Sequence, residues 1–475
     1  MSETRDVVVL GGGISGLTVA WELKKAGVDV CLLEKSEQVG GCTRTERRDG
    51  FLLEKGPFNV IVRDPSFETL LDDVSDHCRV VSADPDARFR YVYRNGGLHA
   101  VPTNPLSMLT TKMLSPTARL RMLRGVVLSK RGGRDEETVE QVASRRVGRE
   151  ATDTLVSAAI SGIFSGDISK LSLSACFPSV AKVDQNVRSL VGYGFRRAFS
   201  RKKRPAPRWG GMVSLDGGLG AMTQSLGAKL AGDCSTGARV RSLYHDPGGF
   251  TIVYDRDVEA HAMQARRVVL AVPVQEARHL LGSLLPKAAT ALLPIESASL
   301  AVLNLGYRRG DVGHPLRGFG FLVPRNEPVF GLMGVLWADR IFAHHAPSDQ
   351  RLLRVFIGGA RDPEAIKLSD DQLVERAQRE IHDLLNVRGD PTLVDVVRYA
   401  SAIPQYHLGH RKRVAELRRE VKRLPGLFVV GNYLDGVSLN DCVRVAAMCA
   451  ADVKTDVQRQ VAPASCQMDV RFRAT

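Results

Sequence analysis

The sequence predicts a mixed α/β and α+β protein: a Rossmann-type domain assembled from discontinuous segments, a second domain with a mixed sheet, and a helical insert. Three observations carry this. Val7 to Gly16, VVVLGGGISG, reads as a buried strand running into a glycine turn. Two further buried strands, Val268 to Pro273 and Leu427 to Asn432, lie far downstream, so the first domain is interrupted and rejoined. Between the first strand and these two, from Asn104 to about Arg208, helical spacing replaces strand patterning.

In chain order, Gly11 permits the tight turn, Gly13 lets a pyrophosphate approach bare backbone, and Gly16 lets the next helix pack on the strand. That helix, Ser15 to Ala26, presents its amide-rich N-terminus to the phosphates. Val28 to Leu33 is a second strand closed by Glu34, placed to accept hydrogen bonds from ribose hydroxyls. Gly40-Gly41-Cys42-Thr43-Arg44 follows, then Gly56-Pro57 after the apolar Phe51-Leu52-Leu53. Alternation over Phe89 to Arg94 puts Phe89, Tyr91 and Tyr93 on one face of a strand and Arg90, Val92 and Arg94 on the other, and Asn95-Gly96-Gly97 turns it into a hairpin.

Helical spacing covers Pro105 to Met113, Pro116 to Leu128, Thr138 to Val147 and Ala151 to Ile160, and Ser161 to Asp167 reads as a small-residue break. Leu300 to Tyr307, Gly318 to Val323, Gly331 to Trp337 and Leu352 to Ile357 read as strands of the second domain, followed by an amphipathic helix over Leu373 to Leu385. A last helix is expected to reach Val453, with an unpatterned tail from about Asp456. The predicted divisions are 1–88, 211–290 and 401–456 for the dinucleotide domain, 89–103 and 291–400 for the mixed-sheet domain, 104–210 for the insert, and 457–475 for the tail.

The 475 residues suit two or three domains of ordinary globular composition, 44% hydrophobic and 25% charged. No run is long enough to span a bilayer, and the fingerprint begins too early to leave room for a leader, so a cytoplasmic protein is expected. The eight cysteines show no zinc or redox spacing, and no metal is expected. The net charge of +14 gathers in two clusters, Arg119 to Arg134 and Arg196 to Arg208. Neither is interleaved with aromatics in the manner of a single-strand nucleic-acid surface, and no nucleic-acid partner is expected. Cationic amphipathic helices suit an anionic bilayer surface instead, where the protein would sit peripherally on the cytoplasmic face.

The fingerprint, Glu34, Gly40-Gly41 with Arg44 and Gly56-Pro57 together resemble the superfamily of FAD-dependent amine oxidases and protoporphyrinogen oxidases. Four more segments narrow this to the protoporphyrinogen oxidase family: Gly162 to Asp167 with Lys170-Leu171-Ser172, Gly318 to Pro324, Ile403 to His410, and Gly431-Asn432-Tyr433 with Asn440-Asp441-Cys442. The resemblance runs from about Val7 to Val453.

It implies a discontinuous FAD domain, a substrate domain and a helical membrane-binding insert. The implied activity is six-electron oxidation of protoporphyrinogen IX to protoporphyrin IX with molecular oxygen as acceptor and hydrogen peroxide as product. Flavin carries the redox step, and no catalytic side chain is implied. The FAD contacts it implies are Gly11, Gly12, Gly13, Ile14, Ser15, Gly16, Glu34 and Lys35 at one end, and Gly41, Arg44, Gly56, Pro57, Phe58 and Asn59 further on. Val240 would meet the adenine, and Gly431, Asn432, Val437, Ser438 and Leu439 the flavin. For the anionic porphyrinogen it implies Arg90 on a propionate, the Gly162 carbonyl toward the pyrrole nitrogens, and Phe319, Gly320 and Leu322 against the macrocycle.

His407 and His410 are read as structural. Ser438, Ser165 and Asp435 depart from the family pattern, and Ser438 could set a hydroxyl near the flavin. A homodimer and hand-off of product to ferrochelatase are compatible with the resemblance. Coproporphyrinogen III, with four propionates instead of two, is the alternative substrate. More distant alternatives are an amine oxidase and a non-catalytic binding protein like the GDP-dissociation inhibitors.

Overall fold

The computed structural model describes residues 4–102, 107, 110–127, 136–186, 208–209, 211–327 and 330–461. The predicted second basic cluster up to Arg204, with Lys130, Arg131 and Arg134 and residues 105, 106, 108 and 109 of the predicted Pro105–Met113 helix, lies outside them.

Thr4–Leu10 lies at the centre of the first sheet, paired in parallel with Val30–Leu33 on one side and Glu259–Leu270 on the other. Leu427–Val429 joins Glu259–Leu270 in parallel, which closes the interrupted domain. Val7 to Leu10 are fully buried because helices cover both faces. Val7 and Val9 enter one core with Leu17, Met222 and Val443; Val8 and Leu10 enter the opposite core with Ala277, Leu281 and Leu417. Arg239–Asp246 and Gly249–Arg256 extend the sheet antiparallel.

The second sheet runs in the order Leu393–Pro404, Ser297–Arg308, Gln350–Gly358, Gly334–Trp337, Gly320–Leu322, Tyr91–Arg94, Gly97–Ala100. It is mixed because Gly320–Leu322 pairs in parallel with Tyr91–Arg94 while its other neighbours are antiparallel. Helix Asp370–Leu385 lays Leu373, Ala377, Ile381 and Leu385 on one face. On the strand Tyr91–Arg94, Tyr91 and Tyr93 join that core while Val92 faces the insert with Met113, Met122 and Ala158.

Three expectations on helices change. The predicted break at Ser161 to Asp167 begins later: Ser157–Phe164 is helical through Gly162, and Ser165, left-handed at φ 49°, ends it. Glycine is tolerated inside a helix at modest cost, and the left-handed residue is what stops it. The predicted helix over Ala151 to Ile160 is instead interrupted by a π turn at Thr152–Val156. The last helix, Leu439–Val461, also runs past Val453. Asp456 ties it to the buried Arg267, at 2.5 Å, so Asp456 belongs to the domain and not to a tail. Among the described residues, no helix is long and apolar enough to cross a membrane.

Candidate functional site

At the end of Thr4–Leu10 the chain turns at Gly11, whose φ of 106° suits glycine. A Cβ on Gly16 would lie 1.9 Å from the Gly11 carbonyl oxygen, so only glycine lets helix Ile14–Lys25 seat on the strand. Gly13 differs: a Cβ there would meet nothing within 4 Å. It opens onto a cradle at the helix N-terminus, where no side chain caps the first-turn amides, including those of Ile14, Ser15 and Gly16. Those donors and the helix dipole make an anion site. The opposite wall is Gly40-Gly41: the Gly40 N–H donates to the Gly12 carbonyl at 2.7 Å, and Gly41 would touch Gly13 if it carried a Cβ.

Glu34 is buried beside this cradle and accepts the Gly12 N–H at 2.6 Å and the Ser36 N–H at 2.8 Å. Each carboxylate oxygen keeps capacity for a further donor, as a ribose would require. The Ala238 N–H donates to the Glu34 carbonyl at 2.8 Å, which brings half-buried Val240 near the acid. Arg44 is exposed and has no ion-pair partner among the described residues. Lys35 turns away to pair with Glu276 at 3.1 Å on the surface, so its side chain is committed elsewhere. These donors and openings fit the diphosphate and ribose of a dinucleotide.

The next turn is locked by backbone contact: a Cβ on Gly56 would lie 2.2 Å from the Cys42 carbonyl oxygen. Arg354, fully buried, donates to the Glu54 and Gly56 carbonyls, each at 2.5 Å. Burial pulls its guanidinium down to about 10. Burial pushes the neighbouring Glu54 carboxyl up to about 7, although it accepts the Leu219 N–H and the Thr45 hydroxyl, each at 2.7 Å. Pro57 and Asn59 are half-buried, while Phe58 is buried against Phe342 and His345.

Across from it, Gly431, Asn432 and Val437 are half-buried and Leu439 is buried. The Tyr406 hydroxyl donates to the Asn432 carbonyl and accepts the Gly436 N–H at 2.9 Å. His410 stacks on Tyr406 at 4.0 Å and its Nε2 lies 3.1 Å from the Leu434 carbonyl. The Ser438 hydroxyl is not available to a ligand as a free donor: it donates to Asp441 Oδ2 at 2.5 Å and accepts the Asp441 N–H at 3.2 Å, which makes it a helix cap. Asn440, which sequence reasoning left out of the site, bridges the Ile61 carbonyl and the Arg63 N–H.

Of the residues expected to hold substrate, Arg90 meets Phe319 and Gly162 meets Leu322, the two pairs joined through the strand Gly320–Leu322. Arg90 is exposed, with its guanidinium carbon 5.1 Å from the centre of the Phe319 ring, and has no ion-pair partner among the described residues. Gly320, at φ 138°, breaks strand alternation. Phe321 therefore enters the buried core, Phe319 joins Phe58 and Phe356, and Leu322 turns to the insert. Gly320 itself is buried against the Val335 carbonyl and acts through the backbone. Gly162 is exposed, and a Cβ on it would be 3.1 Å from the Leu322 methyls. Its carbonyl, in the last turn of Ser157–Phe164, accepts no hydrogen bond from a described residue outside the helix. Sequence reasoning gave no site role to Arg354, Arg361 or Tyr406: the two arginines stand outside any motif, and Tyr406, though inside the Ile403–His410 segment, is tied to Asn432 and Gly436 only by the tertiary fold.

A dinucleotide cradle, a second glycine wall and an apolar cleft define a flavoprotein oxidoreductase, and a family model described as flavin containing amine oxidoreductase matches residues 14–454. The chain belongs to that family and is an FAD-dependent oxidase. It is 31% identical to human protoporphyrinogen oxidase over 94% of this chain and 98% of that one. It is 29% identical to coproporphyrinogen III oxidase of Bacillus subtilis over 95% of this chain and 98% of that one. A solved structure from Exiguobacterium, assigned provisionally as a protoporphyrinogen oxidase, shares the fold with a TM-score of 0.80 at 24% identity, covering 96% of this chain and 100% of that one.

Proposed function

We propose that the chain oxidises a porphyrinogen to the porphyrin, with protoporphyrinogen IX as substrate, oxygen as acceptor and hydrogen peroxide as product. One observation carries it: the guanidinium of Arg90, with no ion-pair partner among the described residues, lies over Phe319 at one end of a strand whose Leu322 packs against the exposed Gly162. An anionic, flat, apolar molecule suits those surfaces, since a guanidinium fork matches a carboxylate and the apolar walls match a macrocycle. When bound, FAD supplies the two-electron acceptance that each oxidation round needs.

The chain's own residues bind and orient. Arg90 fixes a propionate, Phe319 and Leu322 face the ring, and the Gly162 carbonyl is left to accept a pyrrole N–H. The apolar walls keep water from the reacting carbon. Coproporphyrinogen III is the second reading, favoured by the likeness to the Bacillus subtilis enzyme. Peripheral contact with an anionic membrane is part of the same proposal. It is supported by helix Pro116–Val127, where Leu120 is 70% exposed among Arg119, Arg121 and Arg124.

Porphyrin fluorescence tests the substrate, with purified holoprotein mixed in air with each porphyrinogen against an enzyme-free control and peroxide measured in parallel. Acceleration with peroxide release is expected. Yellow, FAD-loaded protein that accelerates neither substrate would overturn the proposal. Binding to vesicles containing anionic lipid, and not to neutral ones, is the expected outcome for the membrane surface.

A further inference from the structure

Arg361 follows the strand Gln350–Gly358 and meets Val323, at the other end of the segment Phe319–Val323 from Arg90. Its Nη2 donates to the Val323 carbonyl at 2.9 Å and to the Ser161 hydroxyl at 3.3 Å. Those two partners are the chain neighbours of Leu322 and Gly162, which pack on each other. The side chain is exposed, its Nε and Nη1 make no hydrogen bond, and it has no carboxylate partner among the described residues. Desolvation of the guanidinium where it meets Val323 and Ser161 lowers its pKa from the ordinary arginine value, opposed from a distance by Asp167. Arg325, by contrast, is neutralised by Asp153 and Glu140.

An arginine held by one nitrogen, with the rest of its fork open, is set to take an oxyanion. We propose that Arg361 is a second carboxylate anchor, which extends the site from protoporphyrinogen to the second reading, a macrocycle bearing carboxylates on two opposed edges as coproporphyrinogen does. This rests on the porphyrinogen reading above. Arg90 lies at Phe319 and Arg361 at Val323, and four residues of extended strand separate those points by about 13 Å. Two propionates on neighbouring pyrroles, as in protoporphyrinogen, lie side by side and reach one of the two arginines together. Four propionates, one on each pyrrole, reach both.

The test is Arg361→Gln in the FAD-loaded enzyme, which keeps a donor for Val323 and Ser161 and removes the charge. KM for each porphyrinogen and Kd for each porphyrin, the latter by fluorescence quenching, are read against wild type, and FAD content and melting temperature confirm the fold. A rise of about tenfold in KM and Kd for the coproporphyrin pair is expected, as for one charge-assisted contact, with less than a twofold change for the protoporphyrin pair. Arg361→Lys, which retains charge, is expected to recover most of the loss and serves if the glutamine variant folds poorly. Equal effects on both pairs, or none on either, would overturn the role of Arg361 while leaving porphyrinogen oxidation standing. A wild-type enzyme that oxidises and binds neither pair overturns the substrate reading first, and the anchor with it.

Discussion

The cofactor end and the substrate end are built by opposite means. At the cofactor end backbone meets backbone: Gly16 lies against the Gly11 carbonyl and Gly56 against the Cys42 carbonyl, at separations that admit no Cβ. At the proposed substrate end the contacts are between side chains and open surface: Arg90 lies over Phe319, Leu322 packs on Gly162 and Arg361 reaches the Val323 carbonyl, with Arg90, Gly162 and Arg361 all exposed. Steric necessity fixes the first and charge and shape tune the second. Substitution should therefore be felt as lost folding or lost FAD in one place, and as altered specificity in the other.

The largest effect should come from testing the steric side against itself. Gly16→Ala drives a Cβ into the Gly11 carbonyl and is expected to destabilise the apoprotein by more than about 3 kcal/mol, the upper range for overpacking. Gly13→Ala points into open space at an ordinary φ of −72°, so the apoprotein should melt within about 0.5 kcal/mol of wild type while FAD binding is lost. Calorimetry of both apoproteins with flavin titration decides it. Equal destabilisation by the two would mean that Gly13 is a packing residue and not part of a cradle.

A buried acid inside the cofactor end supplies the next effect. The Glu54 carboxyl titrates at about 7 in the fold, above the unfolded value of 4.5. The folded chain thus holds this proton more tightly, and stability declines as pH rises from 4.5 through about 7, with no further loss beyond. Glu54→Gln, which stays neutral, should match wild type near pH 4.5 and exceed it above pH 7 by at most about 3 kcal/mol. A stability difference independent of pH would show that hydrogen-bond geometry at Thr45 and Leu219, and not charge, governs this site.

At the substrate end, Arg90→Ala should raise KM for the porphyrinogen about tenfold, the worth of one charge-assisted hydrogen bond. FAD content and melting temperature should stay unchanged, since the side chain is exposed and unpaired. An unchanged KM would remove Arg90 from the cleft chemistry.

This division also explains what the sequence could tell. Gly11, Gly13, Gly16 and Glu34 were legible because strand, turn, helix and strand are contiguous and each glycine has a local steric reason. Tyr91 and Tyr93 were separable from Val92 by alternation. Phe319 was not placed by the same rule, because Gly320 breaks the period and turns it away from Phe321. Gly162 looked like a break, although the helix runs through it and a left-handed Ser165 ends it. Arg354 and Arg361 carried no signal at all, since a lone arginine acquires meaning only from the carbonyls that tertiary structure brings to it.

Ser438 lies between the two ends and gives the smallest and sharpest distinction. Its position beside the turn invites a role in tuning the flavin's reaction with oxygen, whereas its hydrogen bonds to Asp441 make it the cap of helix Leu439–Val461. A capping role predicts that Ser438→Ala costs about 1 kcal/mol and Ser438→Gly a few tenths, because glycine relaxes into the cap conformation and leaves its amides to water. Both variants should show the wild-type rate of flavin reoxidation in air and an unshifted flavin spectrum. If the rate changes in both while stability does not, the hydroxyl faces the cofactor in the working enzyme, and the boundary between the steric end and the tunable end lies one turn deeper than Ser438.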